Sequence, residues 1–204
     1  MILSHEHRFI FVKTRKTAGS SIERCLHGYL GTNDVCSGST TDGTPQQNVP
    51  EEFVLHGHQG WRQISEMWPE EWQTYYKFAV ERNPWDKMAS MYHWYKHSKP
   101  HKIKGMDFNQ WIQSVPLKRF NDWNSYHDGK ELKVDHVIRF EDLHSEMSEI
   151  PVPYDNELSD IHLKSGLWDG NYVDLYDSES RDRVGESFED VINYFGFRFP
   201  YRNS

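Results

Sequence analysis

Short apolar runs alternate with stretches of helical character along this chain. The runs that read as strands are residues 8–13, 51–57, 75–81 and 133–143, the last of which leads into a turn. The stretches that read as helices are residues 18–30, 61–74, 84–96, 107–115 and 178–197. Strands that alternate with helices predict an α/β fold with a central, mainly parallel sheet flanked by helices. In such sheets ligands bind beyond the carboxyl ends of the strands, so the residues after each strand are the first candidates for a site.

Length, charge and cysteine content narrow the class of protein. The 204 residues predict a single domain over 1–204. A net charge of −8 argues against a general nucleic-acid binder, which needs a dominant basic face. The sequence has no apolar run of membrane-helix length and no recognisable signal peptide. The chain has only two cysteines, and they lack the spacing of a metal site. This cysteine usage fits a reducing compartment, so we expect a cytoplasmic protein.

The first candidate site is the loop after the first predicted strand, with the sequence KTRKTAGSS at residues 13–21. A helix N-terminus presents unpaired backbone N–H groups and a positive dipole end, which suit phosphate or sulfate. Gly19 permits close backbone approach, and Lys16 can reach an anion oxygen. Three hydroxyls can donate hydrogen bonds, those of Thr17, Ser20 and Ser21. The plainer alternative is an ordinary strand–helix loop with a serine N-cap and two solvated basic residues.

The nucleotide-binding pattern GxxxxGKS/T is not matched by this loop. No glycine lies upstream of Lys16, which disfavours a kinase or another nucleotide triphosphatase.

The second candidate site is the segment RNPWDKMASMY at residues 82–92. Its Asn-Pro pair suits a helix start, directly after the strand predicted at 75–81. Arg82 at the carboxyl end of that strand and Ser90 on the helix can bind a second phosphate. Alternatively, Arg82 pairs with Glu81 or Asp86 at the surface.

Together the two segments resemble the sulfotransferases that use 3′-phosphoadenylyl sulfate (PAPS), and most of all the carbohydrate branch that includes heparan and chondroitin sulfotransferases. The segments RFEDL at 139–143 and IHLKSG at 161–166 resemble the same family. The resemblance implies a P-loop-NTPase-like fold, no metal, and adenosine 3′,5′-bisphosphate as product. In the family the first loop binds the 5′-phosphosulfate. The resemblance therefore implies that this group is bound here by Arg15, Lys16, Thr17, Ala18, Gly19, Ser20 and Ser21.

The resemblance also implies roles for residues outside the first loop. Arg82 and Ser90 match the family residues that bind the 3′-phosphate. Lys164 and Ser165 match a loop that closes over the nucleotide.

Two histidines in VLHGHQG at 54–60 follow the second predicted strand. An alcohol needs a base to take its proton during attack, and histidine suits that task. The family's Gly-His segment implies His58 as this base, with Lys16 as a catalytic partner and His56 as the alternative or supporting histidine. The His-x-His pair can instead bind zinc, with further ligands from residues 5–7.

These features predict a PAPS-dependent O-sulfotransferase that transfers to an acceptor hydroxyl, which we expect on a carbohydrate; its oligomeric state stays open. A kinase that uses ATP and Mg²⁺ and a non-catalytic nucleotide-binding relative are the alternatives. Several tryptophans can stack on sugar rings or simply pack in the interior: Trp61, Trp94, Trp111, Trp123 and Trp168.

Overall fold

A computed structural model describes residues 1–38, 43–53, 58–155 and 171–200. The chain divides into two compact units. The first unit comprises Met1–Glu81 and Asn124–Leu163, and the second comprises Arg82–Trp123 and Lys164–Ser204. The single domain expected over 1–204 stays a prediction.

The first unit holds all the strands of the described sheet. They are β1 (Ile2–Ser4), β2 (Phe9–Val12), β3 (Val35–Cys36), β4 (Tyr76–Glu81) and β5 (His136–Arg139). Its α-helices are α1 (Gly19–His27), α2 (Trp61–Met67), α3 (Pro69–Thr74) and α7 (Leu143–Glu149). The second unit contributes α4 (Pro84–Ser98), α5 (Pro100–Ile103), α6 (Phe108–Ser114), α8 (Ser178–Ser187) and α9 (Glu189–Phe195).

The sheet has the order β3-β1-β2-β4-β5 and is mixed. Strands β2, β4 and β5 are parallel neighbours, whereas β1 is antiparallel to both β2 and β3. The prediction of a mainly parallel sheet was therefore wrong. Residues 5–8 are too few for a crossover connection, so β1 and β2 can only form an antiparallel hairpin.

One predicted strand is not observed as predicted. Within the range 51–57, Glu51–Phe53 forms a 3₁₀ turn, and residues 54–57 lie outside the described part. Two predicted helices are each observed as two. Pro69 begins α3 after Trp68, and Phe188 separates α8 from α9.

The core of the first unit forms where α1 packs on the sheet. Every residue of β2 is fully buried. On α1, Ile22, Cys25 and Leu26 share one apolar face and join that core. Cys25 and Cys36 are both buried and form no disulfide. The buried strand β2 thus delivers the chain, at Lys13, to the loop that precedes α1.

The second unit is built around the apolar face of α4. Met88, Met91 and Tyr92 are buried there and pack with Trp111 of α6 and Val184 of α8. No helix of the described residues is long and apolar enough to cross a membrane.

Candidate functional site

The loop between β2 and α1 has an unusual backbone. Lys16 and Ala18 both adopt the left-handed conformation, with φ of 60° and 59°. For residues with a Cβ this costs roughly 1–2 kcal/mol each. Strain of this kind concentrates at ligand-binding and catalytic sites, and turns of this type orient successive N–H groups into anion-binding concavities. We call residues 13–21 the cradle loop.

Two threonines fix the shape of the cradle loop. The hydroxyl of Thr14 donates to the carbonyl oxygen of Val80, on the neighbouring strand β4. It also lies 2.8 Å from the hydroxyl of Thr17, which in turn lies 3.2 Å from the Thr14 carbonyl. Thr17 is fully buried. Its hydroxyl therefore stabilises the turn, and the binding of a sulfuryl donor by Thr17 stays a prediction.

The start of α1 adds backbone donors to the loop. The first hydrogen bond of the helix runs from the amide of Ile22 to the carbonyl of Ala18 at 3.0 Å. The amides of residues 19–21 precede it, at the end of the helix where the dipole is positive. Ser20 and Ser21 are largely buried, at 9% and 4% exposure. The arrangement is therefore suited to binding an anion mainly through backbone N–H groups.

Gly19 permits a close approach that no other residue would. A Cβ at this position would lie 2.7 Å from Cγ of Lys13, because the lysine stem crosses the beginning of α1. The sequence predicts that Gly19 serves close approach to a ligand. In the structure the absent Cβ makes room for Lys13, and the approach of a ligand to Gly19 stays a prediction.

The ammonium group of Lys13 forms a buried ion pair with Glu23 of α1. The other carboxylate oxygen of Glu23 accepts from the Met1 amino group at 2.7 Å and from the Ser37 hydroxyl at 2.8 Å. Burial alone would raise the pKa of Glu23, but the ammonium groups of Met1 and Lys13 outweigh burial and lower it. The stability gained from this charge is present at neutral pH and is lost as pH falls.

His58 lies against the cradle loop. Its Nδ1 is 3.1 Å from the backbone carbonyl oxygen of Lys13. A carbonyl can only accept, so Nδ1 carries the proton in this contact and Nε2 carries the lone pair. The imidazole is exposed to solvent. The role of His58 as general base stays a prediction.

The zinc alternative involves His5, His7 and His56. Nδ1 of His5 lies 3.0 Å from the hydroxyl of Tyr75, and Nε2 of His7 lies 3.1 Å from the carbonyl of Tyr29. Among residues 1–38, 43–53, 58–155 and 171–200, no group of three or more His, Cys, Asp or Glu could hold a metal ion. His56 lies outside the described residues, as do Lys164 and Ser165.

The second predicted phosphate site lies in the second unit. Asn83 caps α4 by accepting from the amide of Trp85 at 3.2 Å. Nε of Arg82 donates to Asp86 at 2.7 Å, which is the surface pair that the sequence offered as an alternative. Ser90 is half-buried one turn beyond Asp86. The pair fixes the guanidinium orientation, while phosphate binding by Arg82 and Ser90 stays a prediction.

The tryptophans separate into two groups. Trp111 and Trp123 are buried, at 1% and 8% exposure, and pack in the interior. Trp61 is half-buried at the start of α2, three residues after His58. The guanidinium of Arg62 lies 4.4 Å from its ring centroid, and the ammonium of Lys133 lies 5.4 Å away. Trp168 lies outside the described residues.

The strain in the cradle loop predicts an unusual response to glycine. Ala18→Gly should leave the free energy of unfolding unchanged or raise it by up to about 1 kcal/mol, because glycine adopts positive φ without steric cost. The matched control is Ala89→Gly inside α4. This substitution should lower the free energy of unfolding by about 1 kcal/mol or more. Urea denaturation measures both. Equal losses in the two variants would contradict a left-handed Ala18.

Sequence reasoning assigned no function to Lys13, Glu23 or Thr14. Their contacts join positions 10 and 66 residues apart, Lys13 to Glu23 and Thr14 to Val80. The contact with His58 uses a backbone carbonyl, which every residue carries. Residue type and spacing therefore gave no signal for it.

Comparison with known proteins gives one match. A family model described as the sulfotransferase family matches residues 1–161, which include the cradle loop, His58, Arg82 and Ser90. None of the curated proteins compared with the chain matches it significantly.

Proposed function

Because the chain belongs to the sulfotransferase family, we propose that it transfers a sulfuryl group from PAPS to an acceptor hydroxyl with His58 as general base. The family implies a transferase and supports sulfotransfer in general. The observation that supports the finer proposal is the contact of His58 Nδ1 with the Lys13 carbonyl, because an imidazole with its proton on Nδ1 can accept a proton at Nε2.

The cradle loop fits the 5′-phosphosulfate end of PAPS. Its left-handed residues and the amides at the start of α1 suit an anion. In this proposal Lys16 lies beside the phosphate oxygen that leaves. The family resemblance assigns the 3′-phosphate to Arg82 and Ser90, and the closing loop to Lys164 and Ser165.

The protein groups act on one concerted displacement. As the acceptor oxygen forms its bond to sulfur, the bond between sulfur and the phosphate oxygen breaks. Nε2 of His58 takes the proton of the acceptor hydroxyl, and Nδ1 remains bonded to the Lys13 carbonyl. Lys16 and the helix-start amides stabilise the negative charge that develops on the departing phosphate oxygen.

We propose a carbohydrate hydroxyl as the acceptor. The resemblance to the carbohydrate branch supports this, and the half-buried Trp61 lies three residues along the chain from His58. Its neighbour Arg62 is exposed and its guanidinium lies over the indole, so the same segment offers a positive charge to an acidic sugar.

The nucleotide specificity distinguishes this function from a kinase. At about 100 times its Kd, adenosine 3′,5′-bisphosphate should stabilise the protein by about 2.7 kcal/mol. This corresponds to a rise in melting temperature of roughly 5–10 °C for a chain of this size. Adenosine 5′-phosphate at the same concentration should give a much smaller rise, and Mg²⁺ should change neither. A larger rise with ATP and Mg²⁺ would favour a phosphotransferase instead.

A further inference from the structure

We propose that Lys13, held by Glu23, is a positioning residue that keeps His58 in the tautomer with its proton on Nδ1. This inference rests on the proposed role of His58 as the base. Lys13 touches the histidine only through its backbone carbonyl, and its side chain serves to fix that carbonyl.

The carbonyl of Lys13 is restrained from both sides. On one side Lys13 follows β2 directly, where the last paired residue, Val12, lies opposite Ala79 of β4. On the other side Thr14 is held to the Val80 carbonyl. Between these two anchors, the conformation of residue 13 decides where its carbonyl points.

The side chain of Lys13 supplies the third restraint. It crosses the start of α1 against Gly19 and ends on Glu23, and the two charged side chains are only 7% and 0% exposed. Glu23 also accepts a hydrogen bond from the hydroxyl of Ser37, the residue that follows β3. Rotation of Lys13 would therefore remove one of the two ammonium groups, those of Lys13 and Met1, that compensate the buried carboxylate of Glu23.

A buried ion pair is weak evidence for stability, because desolvation of two charges opposes their attraction. What this pair achieves is a fixed geometry at one residue, and the carbonyl of that residue contacts the proposed base. The arrangement parallels sites in which a hydrogen bond to one ring nitrogen of a histidine sets the tautomer and the basicity of the other.

The variant K13M/E23Q tests the inference. It removes the charges of Lys13 and Glu23 together, and the amide oxygen of a glutamine at position 23 can still accept from the Met1 amino group and the Ser37 hydroxyl. We expect the ¹⁵N signals of the His58 ring, at a pH where the ring is neutral, to change from the Nδ1-protonated tautomer to a mixture. Transfer should fall at least about tenfold, as for other histidines that lose their orienting partner.

The matched control is K87M/D122N, which removes a buried ion pair of the second unit. Lys87 and Asp122 are 0% and 1% exposed and lie 2.8 Å apart. This control should lower the melting temperature and leave the His58 ring signals unchanged. If K13M/E23Q does not fold, Gly19→Ala displaces the Lys13 stem without changing any charge and should produce the same tautomer mixture.

Wild-type ring signals in K13M/E23Q, or in a folded Gly19→Ala protein, would overturn the inference. So would an equal change of the ring signals in the control, since the effect would then be general destabilisation. The ring signals are recorded without donor or acceptor. A protein that transfers no sulfuryl group would refute the proposed function while the tautomer result still decides the positioning role.

Discussion

His58→Ala is expected to abolish sulfuryl transfer and to leave the affinity for adenosine 3′,5′-bisphosphate nearly unchanged. The substitution removes the group that takes the acceptor proton, and a positioned base contributes about 10²- to 10⁴-fold to the rate. The cradle loop contacts the imidazole through a backbone carbonyl, which remains when the ring is removed. Turnover with PAPS and a titration of the bisphosphate measure the two quantities separately.

Two further histidine variants are the controls for this prediction. His136→Ala removes a half-exposed imidazole that pairs with Glu146 at 2.8 Å, and it should leave turnover close to that of the wild type. His56→Ala tests the alternative base. Full activity in His58→Ala together with an inactive His56→Ala protein would assign the base to His56.

Arg82→Ala is expected to lower the affinity for the 3′-phosphorylated nucleotide about 10- to 100-fold. A hydrogen bond to a charged group contributes roughly 1.5–3 kcal/mol, which corresponds to this range. Adenosine 5′-phosphate lacks the 3′-phosphate, so its affinity should change little. Isothermal titration with the two nucleotides measures the difference.

Asp86→Asn is the matched control, because it weakens the 2.7 Å ion pair but keeps the guanidinium. Asp86→Asn should lower the affinity for the 3′-phosphorylated nucleotide less than Arg82→Ala does, and it should change the affinity for adenosine 5′-phosphate little. If Arg82→Ala lowered the affinities for both nucleotides equally, this would contradict a specific role of Arg82 at the 3′-phosphate.

Local patterns predicted the elements that position the two candidate segments. The strand before Lys13, the helix after it and the helix start at Asn83 were predicted and are confirmed. These features depend on runs of neighbouring residues, on helical periodicity and on capping chemistry. Such signals are complete within a few residues of sequence.

Other parts of the fold depend on partners that are distant in the chain. β1 and β3 have three and two residues, too few for a period-two pattern, and they exist because they pair with each other and β1 pairs with β2. Their antiparallel pairing is what makes the sheet mixed. The Lys13–Glu23 pair and the His58 contact with a backbone carbonyl likewise have no local signature.

The central claim is that this chain transfers a sulfuryl group from PAPS to a hydroxyl. The most direct measurement incubates the protein with ³⁵S-labelled PAPS and a panel of acidic and neutral glycans, small alcohols and tyrosine peptides, and follows label and adenosine 3′,5′-bisphosphate together. The account predicts label on a glycan hydroxyl, one bisphosphate for each label transferred, and neither product with His58→Ala. Tight bisphosphate binding without label on any member of the panel would contradict it and would favour a non-catalytic nucleotide-binding protein.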